Sequence, residues 1–162
     1  CLSRGLGDVY KRQADWVEGI IEAARPALQE AFQPCVVLHD YREANLTASR
    51  ESGARQGWRV TGVFDLMEAF AGDGEADLVR SVAGYLDYAP ALAEAFVHAY
   101  VQRCPLRPGF AARYALYMLR DRLILWEYFH RPGQRWKYEQ TTLTDWAGGY
   151  LDVSAVMDSA TQ

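Results

Sequence analysis

The sequence predicts an α+β fold that is mainly α, with a small strand region followed by a run of helices. Short β-branched runs are confined to residues 35–65, whereas apolar residues recur at helical spacing before and after that region. Glycine and proline mark most of the boundaries between these segments. Strands clustered in one short region, with helices on both sides, are typical of α+β domains rather than of alternating α/β domains.

The first residues, 1–13, differ in character from the rest of the chain. "DVYKRQ", Asp8 to Gln13, resembles the translation of a transposon adapter end used in sequencing libraries. We therefore expect residues 1–13 to be a non-native leader, the alternative being a short disordered native tail. Residues 14–162 are then expected to form one domain. On this interpretation the natural chain begins before Ala14, and the present sequence is its C-terminal part.

The first helix is predicted in "ADWVEGIIEAARPALQEAFQP", which ends at Pro34. Its Pro26 is expected to kink or split the helix, because proline removes a backbone hydrogen bond. The apolar residues at helical spacing are Trp16, Ile20, Ala24 and Leu28.

Three strands are predicted next. Cys35 to Leu38 forms a compact β-branched run after a proline, which indicates a short buried strand. "NLTAS" and "WRVTGVFD" come after it as two strands of a hairpin, separated by "RESGARQG", whose Gly53 and Gly57 suit a turn. Asn45 would then stand at the entrance of the hairpin and Asp65 at its exit.

The rest of the chain, beyond "AGDGEAD", is predicted to be helical. Helices are expected at about 75–87, 90–103, 109–130 and 143–157, with breaks at Pro90, "CPLRPG" and "RPGQ". The third of these helices is expected to pack into the core through one apolar face, formed by Leu116, Leu119, Leu123 and Trp126.

Composition excludes several classes of protein. The net charge of −4 and the scattered arginines argue against a nucleic-acid surface, which needs clustered Lys and Arg. No apolar stretch is long enough to span a bilayer and no signal peptide is recognisable, so we expect a cytoplasmic protein without membrane partners. Cys35 and Cys104 have no metal-site spacing and are expected to be reduced and buried.

The predicted hairpin concentrates oxygen ligands at one end. Asp40, Asn45 and Asp65 would approach one another there, and Mg²⁺ prefers one or two carboxylates together with substrate phosphates and water. An Asp followed five positions later by Asn, and then by a metal-binding Asp at the end of the next hairpin, is the arrangement used in kinases.

"LHDYREANL" followed by "VTGVFDLMEAFAGDGEADLVR", about Val36 to Arg80, resembles the catalytic half of the aminoglycoside phosphotransferase family. These are small-molecule kinases with a protein-kinase-like fold, and the resemblance implies its C-terminal lobe: a small hairpin that carries the site and a helical bundle after it. It implies that Asp40 orients the substrate hydroxyl and accepts its proton, while Asn45 and Asp65 hold the Mg²⁺ that binds the phosphates of ATP.

Other positions of the motif are assigned to the scaffold or depart from the family. Asp73 fits a turn or helix N-cap, and Asp77 a carboxylate in the first turn of a helix. The family's histidine usually stands two positions before the catalytic Asp, where this chain has Leu38, so His39 is given a structural or local role. "FDLM" also lacks the glycine expected after Asp65.

The resulting hypothesis is an ATP-dependent small-molecule O-kinase that transfers a γ-phosphoryl group to a substrate hydroxyl, here as a truncated catalytic lobe. The only lysine after the leader is Lys137, too far downstream to pair with the phosphates, so the N-lobe is expected to be missing and the fragment nearly inactive. The alternative is a non-catalytic kinase-like scaffold; hydrolase or nuclease use of the carboxylates ranks below both.

The same interpretation carries two further expectations. The acceptor, whether an aminoglycoside, a macrolide, an amino alcohol or a sugar, is not named by the sequence. Asp121 and Glu127 could line its pocket, although charged helix positions are normally solvated.

Surface near Cys35 to Val37 and on the hairpin would be uncovered without an N-lobe, so the fragment is expected to self-associate.

Overall fold

The structure is a computed structural model that describes residues 2–50, 57–134 and 141–157. Its helices are α1 (Leu2–Ala24), α2 (Leu78–Tyr88), α3 (Pro90–Val101), α4 (Phe110–Phe129), α5 (Leu143–Leu151) and α6 (Ser154–Met157). Its strands are β1 (Cys35–Val37), β2 (Leu46–Arg50), β3 (Trp58–Val63) and β4 (Phe70–Gly72). The predicted α+β, mainly α, class is confirmed.

Helix α1 runs from Leu2 through the expected leader and ends at Ala24. The helix ends just before Pro26, because the residue that precedes a proline disfavours the helical conformation. A short 3₁₀ turn, Ala27–Gln29, comes after it. The expected split at Pro26 is therefore present. The non-native leader stays a prediction, because a helical conformation does not distinguish native from foreign sequence.

The strands form two antiparallel pairs. β2 and β3 make the expected hairpin, with Leu46 opposite Val63 and a register shift at Thr47/Ala48. Of the expected turn, 50–57, residues 51–56 lie outside the described residues. β1 pairs with β4, which the sequence patterns did not reveal, because three residues are too short for a recognisable alternation.

The expected burial of β1 is wrong. Val37 is buried, but Cys35 is exposed and Val36 is 68% exposed. Among the described residues the strand has one short partner, β4, and it packs against the 3₁₀ turn Gly74–Asp77. Cys35 and Cys104 are free thiols, but both are exposed rather than buried as expected.

The hydrophobic core lies between α2, α3, α4 and α6, so it is formed by helices rather than by the strands. The break at Pro90 lets α2 and α3 fold against each other, because proline is tolerated in the first turn of a helix. The core includes Leu78, Val82, Ala93, Val97, Tyr114, Met118 and Val156.

The expected apolar face of α4 is only partly correct. Leu119 is buried, whereas Leu123 is exposed. The inward face instead carries charged residues that pair with neighbours, namely Arg113, Asp121 and Arg122, alongside Phe110, Tyr114 and Met118. Pairing makes burial of a charge tolerable, which hydrophobic periodicity does not capture.

The expected last helix is two helices. It is interrupted after Leu151, where the carboxylate of Asp152 accepts the backbone N–H of Ser154 at 2.9 Å and so starts α6. No helix among the described residues is long and apolar enough to cross a membrane.

Candidate active site

The loop after β1 is held by a carboxylate from the start of α2. Asp77 Oδ2 accepts the N–H of Leu38 at 3.0 Å, and Oδ1 accepts the N–H of His39 at 2.7 Å. His39 has a φ of 63°, a left-handed conformation that a non-glycine residue adopts only when its surroundings impose it. Asp77 is thus a scaffold residue, but it acts by fixing this loop rather than by its place in the first turn of a helix.

Asp40 and Asn45 contact each other directly. The 3₁₀ turn Glu43–Asn45 folds the chain back, and Asn45 Nδ2 donates to Asp40 Oδ2 at 2.8 Å and to the Asp40 carbonyl oxygen at 2.9 Å. Asn45 is buried, whereas the Asp40 side chain is 15% exposed. The Asp40 carboxylate is therefore positioned by an amide yet open on one side.

Asp65 lies at the same end of the hairpin as Asn45. The carbonyl oxygen of Asn45 accepts the N–H of Phe64 at 2.8 Å, and Asp65 is the next residue. Asp65 is exposed, has a φ of 55°, and forms no hydrogen bond or ion pair with the described residues. The fold thus brings all three predicted site residues to one region, with Asp65 unpaired.

The oxygen atoms available in this region fit a hard cation. Because Asn45 donates its Nδ2 to Asp40, its Oδ1 is the amide atom left for a ligand, and both oxygens of Asp65 are open. Mg²⁺ is commonly held by so few protein oxygens when phosphates complete its shell. Within the described ranges, no group of three or more His, Cys, Asp or Glu side chains is suited to a metal.

Two arginines approach the Asp40 carboxylate. Arg42 Nε lies 3.2 Å from Asp40 Oδ2, and Arg80 Nε lies 3.7 Å from Asp40 Oδ1. Oδ1 is therefore the less occupied oxygen.

Arg80 also connects Asp40 to a buried carboxylate on α4. Arg80 Nε lies 2.7 Å from Asp121 Oδ1, but neither atom makes a hydrogen bond, so the contact is an ion pair in which the N–H points elsewhere. Arg122 donates to the other oxygen of Asp121. We call this group the Asp40 cluster: Asp40, Arg42, Asn45, Arg80, Asp121 and Arg122.

Asp121 was expected to be solvated, and this is wrong, since it is fully buried. It comes after Tyr114 and Met118 at helical spacing on the inward face of α4. A charged residue in phase with an apolar face is the signal that could have identified it. Glu127, the other candidate for an acceptor pocket, is exposed and paired with Arg131 at 2.6 Å. Asp121 and Glu127 therefore do not line one pocket together.

A second charged group, the Glu75 cluster, lies nearer the start of α4. The buried Glu75 carboxylate accepts Arg113 Nε at 2.7 Å and Arg113 Nη2 at 3.0 Å. Asp73 caps the 3₁₀ turn that contains Glu75, as expected, and accepts Tyr117 Oη at 2.7 Å. The members are Asp73, Glu75, Arg107, Arg113 and Tyr117.

His39 is buried between the loop and α4. Its Nε2 lies 2.6 Å from Arg120 Nη1, and its Nδ1 makes no hydrogen bond and lies 3.7 Å from the nearest carboxylate oxygen, on Glu68. Burial, together with the nearby guanidinium groups of Arg120 and Arg80, lowers the pKa of His39 below its usual range. A neutral, packed ring agrees with the structural role expected for it.

Comparison with known proteins identifies one family. The model of the phosphotransferase enzyme family matches residues 3–116, which includes the whole segment from Val36 to Arg80. This match confirms, at the level of the family, the resemblance found in the motifs. Searches of curated proteins and of solved structures found no match.

Proposed function

The chain belongs to the phosphotransferase enzyme family, and on that premise we propose that it is the catalytic lobe of an ATP-dependent O-kinase acting on a small molecule. The observation that carries the proposal is the direct Asp40–Asn45 contact at the hairpin end, where Asp65 has no partner in the part of the chain that the structure describes. A carboxylate base beside two oxygen ligands for a cation is the equipment that phosphoryl transfer needs.

Asp40 is proposed as the residue that orients the acceptor hydroxyl and takes its proton. Asn45 and Arg42 both contact Oδ2, so Oδ1 is the oxygen left to accept the hydroxyl hydrogen. Asp77 fixes the backbone just before Asp40, which limits how far the carboxylate can drift from the reacting oxygen.

Asn45 Oδ1 and the Asp65 carboxylate are proposed as the protein ligands of Mg²⁺. When bound, Mg²⁺ would offset the negative charge of the nucleotide phosphates. The two proposed ligands differ in burial, which suits this role. The buried Asn45 is fixed by Asp40, whereas the exposed Asp65 can adjust to a nucleotide.

The remainder of the nucleotide site is proposed to come from an N-lobe that this chain does not supply. Both lysines, Lys11 and Lys137, lie outside the Val36–Arg80 motif, and a strand lysine normally pairs with the phosphates. We therefore expect the chain alone to bind ATP weakly. The dependence on a nucleotide donor also favours a cytoplasmic location for the parent protein.

The test is to express the protein together with its upstream coding region and to measure ATP consumption with a panel of aminoglycosides, macrolides, amino alcohols and sugars. Turnover with one class supports the kinase; absence of turnover with every class removes most of its support.

Nucleotide binding by the same extended protein distinguishes a kinase from a non-catalytic scaffold. Asp65→Ala is expected to abolish Mg²⁺-dependent nucleotide binding, measured by calorimetry with and without Mg²⁺. Asp15→Ala, an exposed position on α1, is the matched control and should bind nucleotide normally. Nucleotide binding that is independent of both Mg²⁺ and Asp65 would favour the scaffold.

A further inference from the structure

A cavity of about 360 Å³ lies beside His39, in the loop after β1 that carries Asp40, and is separate from the proposed active site. Its apolar walls include the rings of Phe32 and Phe70, both of which are partly exposed, and the side chain of Val79. None of Asp40, Asn45 and Asp65 lines it. A half-open, mainly apolar space of this size suits a small organic ligand rather than an ion.

One polar residue of the cavity, His39, has an unused hydrogen-bond donor. Arginine donates and never accepts, so His39 Nε2 must accept from Arg120. The neutral ring then carries its hydrogen on Nδ1, a buried atom that makes no hydrogen bond. The side chain is 3% exposed, and a buried donor without an acceptor is costly.

Arg120 supplies a positive charge without a carboxylate partner. Its guanidinium contacts His39 and lies 6.0 Å from the centre of the Phe70 ring, and it forms no ion pair with the described residues. Guanidinium groups bind carboxylates through two parallel hydrogen bonds. The cavity therefore offers a cation and a donor close to the Phe70 ring, with the Phe32 ring as a second aromatic wall.

The remaining polar groups of the cavity do not compete for the same ligand. Asp73 also lines it, but this carboxylate is already bonded by Arg107, Tyr117 and the backbone N–H of Glu75. The Tyr117 hydroxyl is likewise used by Asp73. Glu68 is the nearest free carboxylate, and at 3.7 Å from His39 Nδ1 it is too distant for a hydrogen bond.

We propose that this cavity binds a small carboxylic acid with a flat apolar body, the carboxylate on Arg120 and His39 Nδ1 and the body between Phe32 and Phe70. The site is distinct from the nucleotide and acceptor sites. Because His39 precedes Asp40 directly, an occupant would contact the back of the loop that carries the proposed base.

The experiment uses benzoate and its neutral isostere benzamide, titrated into the protein and followed by ligand-observed NMR. Benzoate should bind about tenfold or more tightly than benzamide, the worth of one charge-assisted interaction. Equal binding of the two, or no binding of benzoate at millimolar concentration, would overturn the proposal, and this comparison needs no variant.

Variants then locate the site. Arg120→Gln should remove the preference for benzoate, whereas Arg103→Gln, an exposed arginine outside the cavity, should retain it. Glu68→Gln should strengthen benzoate binding, because it removes a nearby negative charge. Asp40→Asn should leave benzoate binding unchanged, which separates this proposal from the proposed kinase activity. A preference for benzoate that survives Arg120→Gln would overturn the assignment.

Discussion

The Asp40 cluster and the Glu75 cluster both bury carboxylates and arginines against α4, but they differ in how fully their polar atoms are paired. Both Glu75 oxygens accept hydrogen bonds, and Arg113 also donates to the carbonyl oxygens of Ala27, Arg107 and Pro108. In the Asp40 cluster, Arg80 Nε and Asp121 Oδ1 are buried without a hydrogen bond.

We infer different roles for the two clusters from this difference in hydrogen bonding. The Glu75 cluster joins the 3₁₀ turn after β4, helix α4 and the segment after α1 into one unit, and complete pairing is what makes buried charge compatible with stability. The Asp40 cluster leaves Asp40 Oδ1 open beside Arg80 Nε and Asp121 Oδ1, two buried atoms that form an ion pair but no hydrogen bond. Incomplete pairing of this kind is concentrated at functional sites, where a substrate completes it.

The largest expected effect is on stability, through Glu75→Gln. It leaves the fully buried Arg113 with only the more distant Asp73 carboxylate, 3.8 Å from its Nε, as a counter-charge, so we expect a loss of about 3–5 kcal/mol in the free energy of unfolding. Urea denaturation measures it. Glu22→Gln, which breaks an exposed pair with Arg25, is the matched control and should change little. Near-wild-type stability of Glu75→Gln would show that the backbone carbonyls and Asp73 are sufficient partners for Arg113.

Asp40→Asn should instead lower activity and leave stability largely intact. In the protein with its upstream region, we expect kcat to fall by about 10²–10⁴-fold, the usual contribution of a general base. The free energy of unfolding should change far less than in Glu75→Gln, because the Asp40 carboxylate is partly exposed. A variant that loses stability and activity together would place Asp40 in the scaffold instead.

Asp77→Asn tests the connection between loop and scaffold. An amide cannot accept both the Leu38 and His39 N–H groups, since its nitrogen would face a donor. We expect a loss of about 1–3 kcal/mol in the free energy of unfolding. Asp15→Asn is the control in the same urea titration. An unchanged midpoint would mean that the loop is held by other contacts.

A smaller effect is expected on self-association. Trp58, Phe64 and Met67 leave an apolar surface on and just after the hairpin, with Met67 93% exposed. We expect the chain to associate at high concentration and Met67→Lys to weaken association about tenfold. Sedimentation velocity measures this, with Leu92→Lys on α3 as the matched control. A wild-type monomer across the concentration range would contradict it.

The smallest expected effect is a dependence of stability on pH through His39. Its pKa is lower in the folded protein than in the unfolded chain, so the unfolded state binds more protons below about pH 6.5. Stability should therefore fall as pH decreases through that value, and His39→Gln should reduce the slope. His98→Gln, at an exposed position, should keep the wild-type slope in urea titrations between pH 7 and 5.

Local patterns predicted much of this molecule. The hairpin, the break at Pro90 and the extents of α2, α3 and α4 were predicted from β-branched runs, proline and helical periodicity. The Asp40 to Asn45 spacing pointed to the family. These features are determined by residues close in the chain, where steric preference and hydrogen bonding act over a few positions.

Contacts between distant segments decided the rest. The burial of Asp121, the exposure of Cys35 and the hold of Asp77 on Leu38 and His39 each depend on which element packs alongside. A sequence shows that a charged residue falls on an inward face, but not whether a partner lies opposite it there. By itself the sequence determined most of the elements and the family; only the tertiary structure decided which charges are paired and which stay open, because pairing depends on side chains brought together from far along the chain.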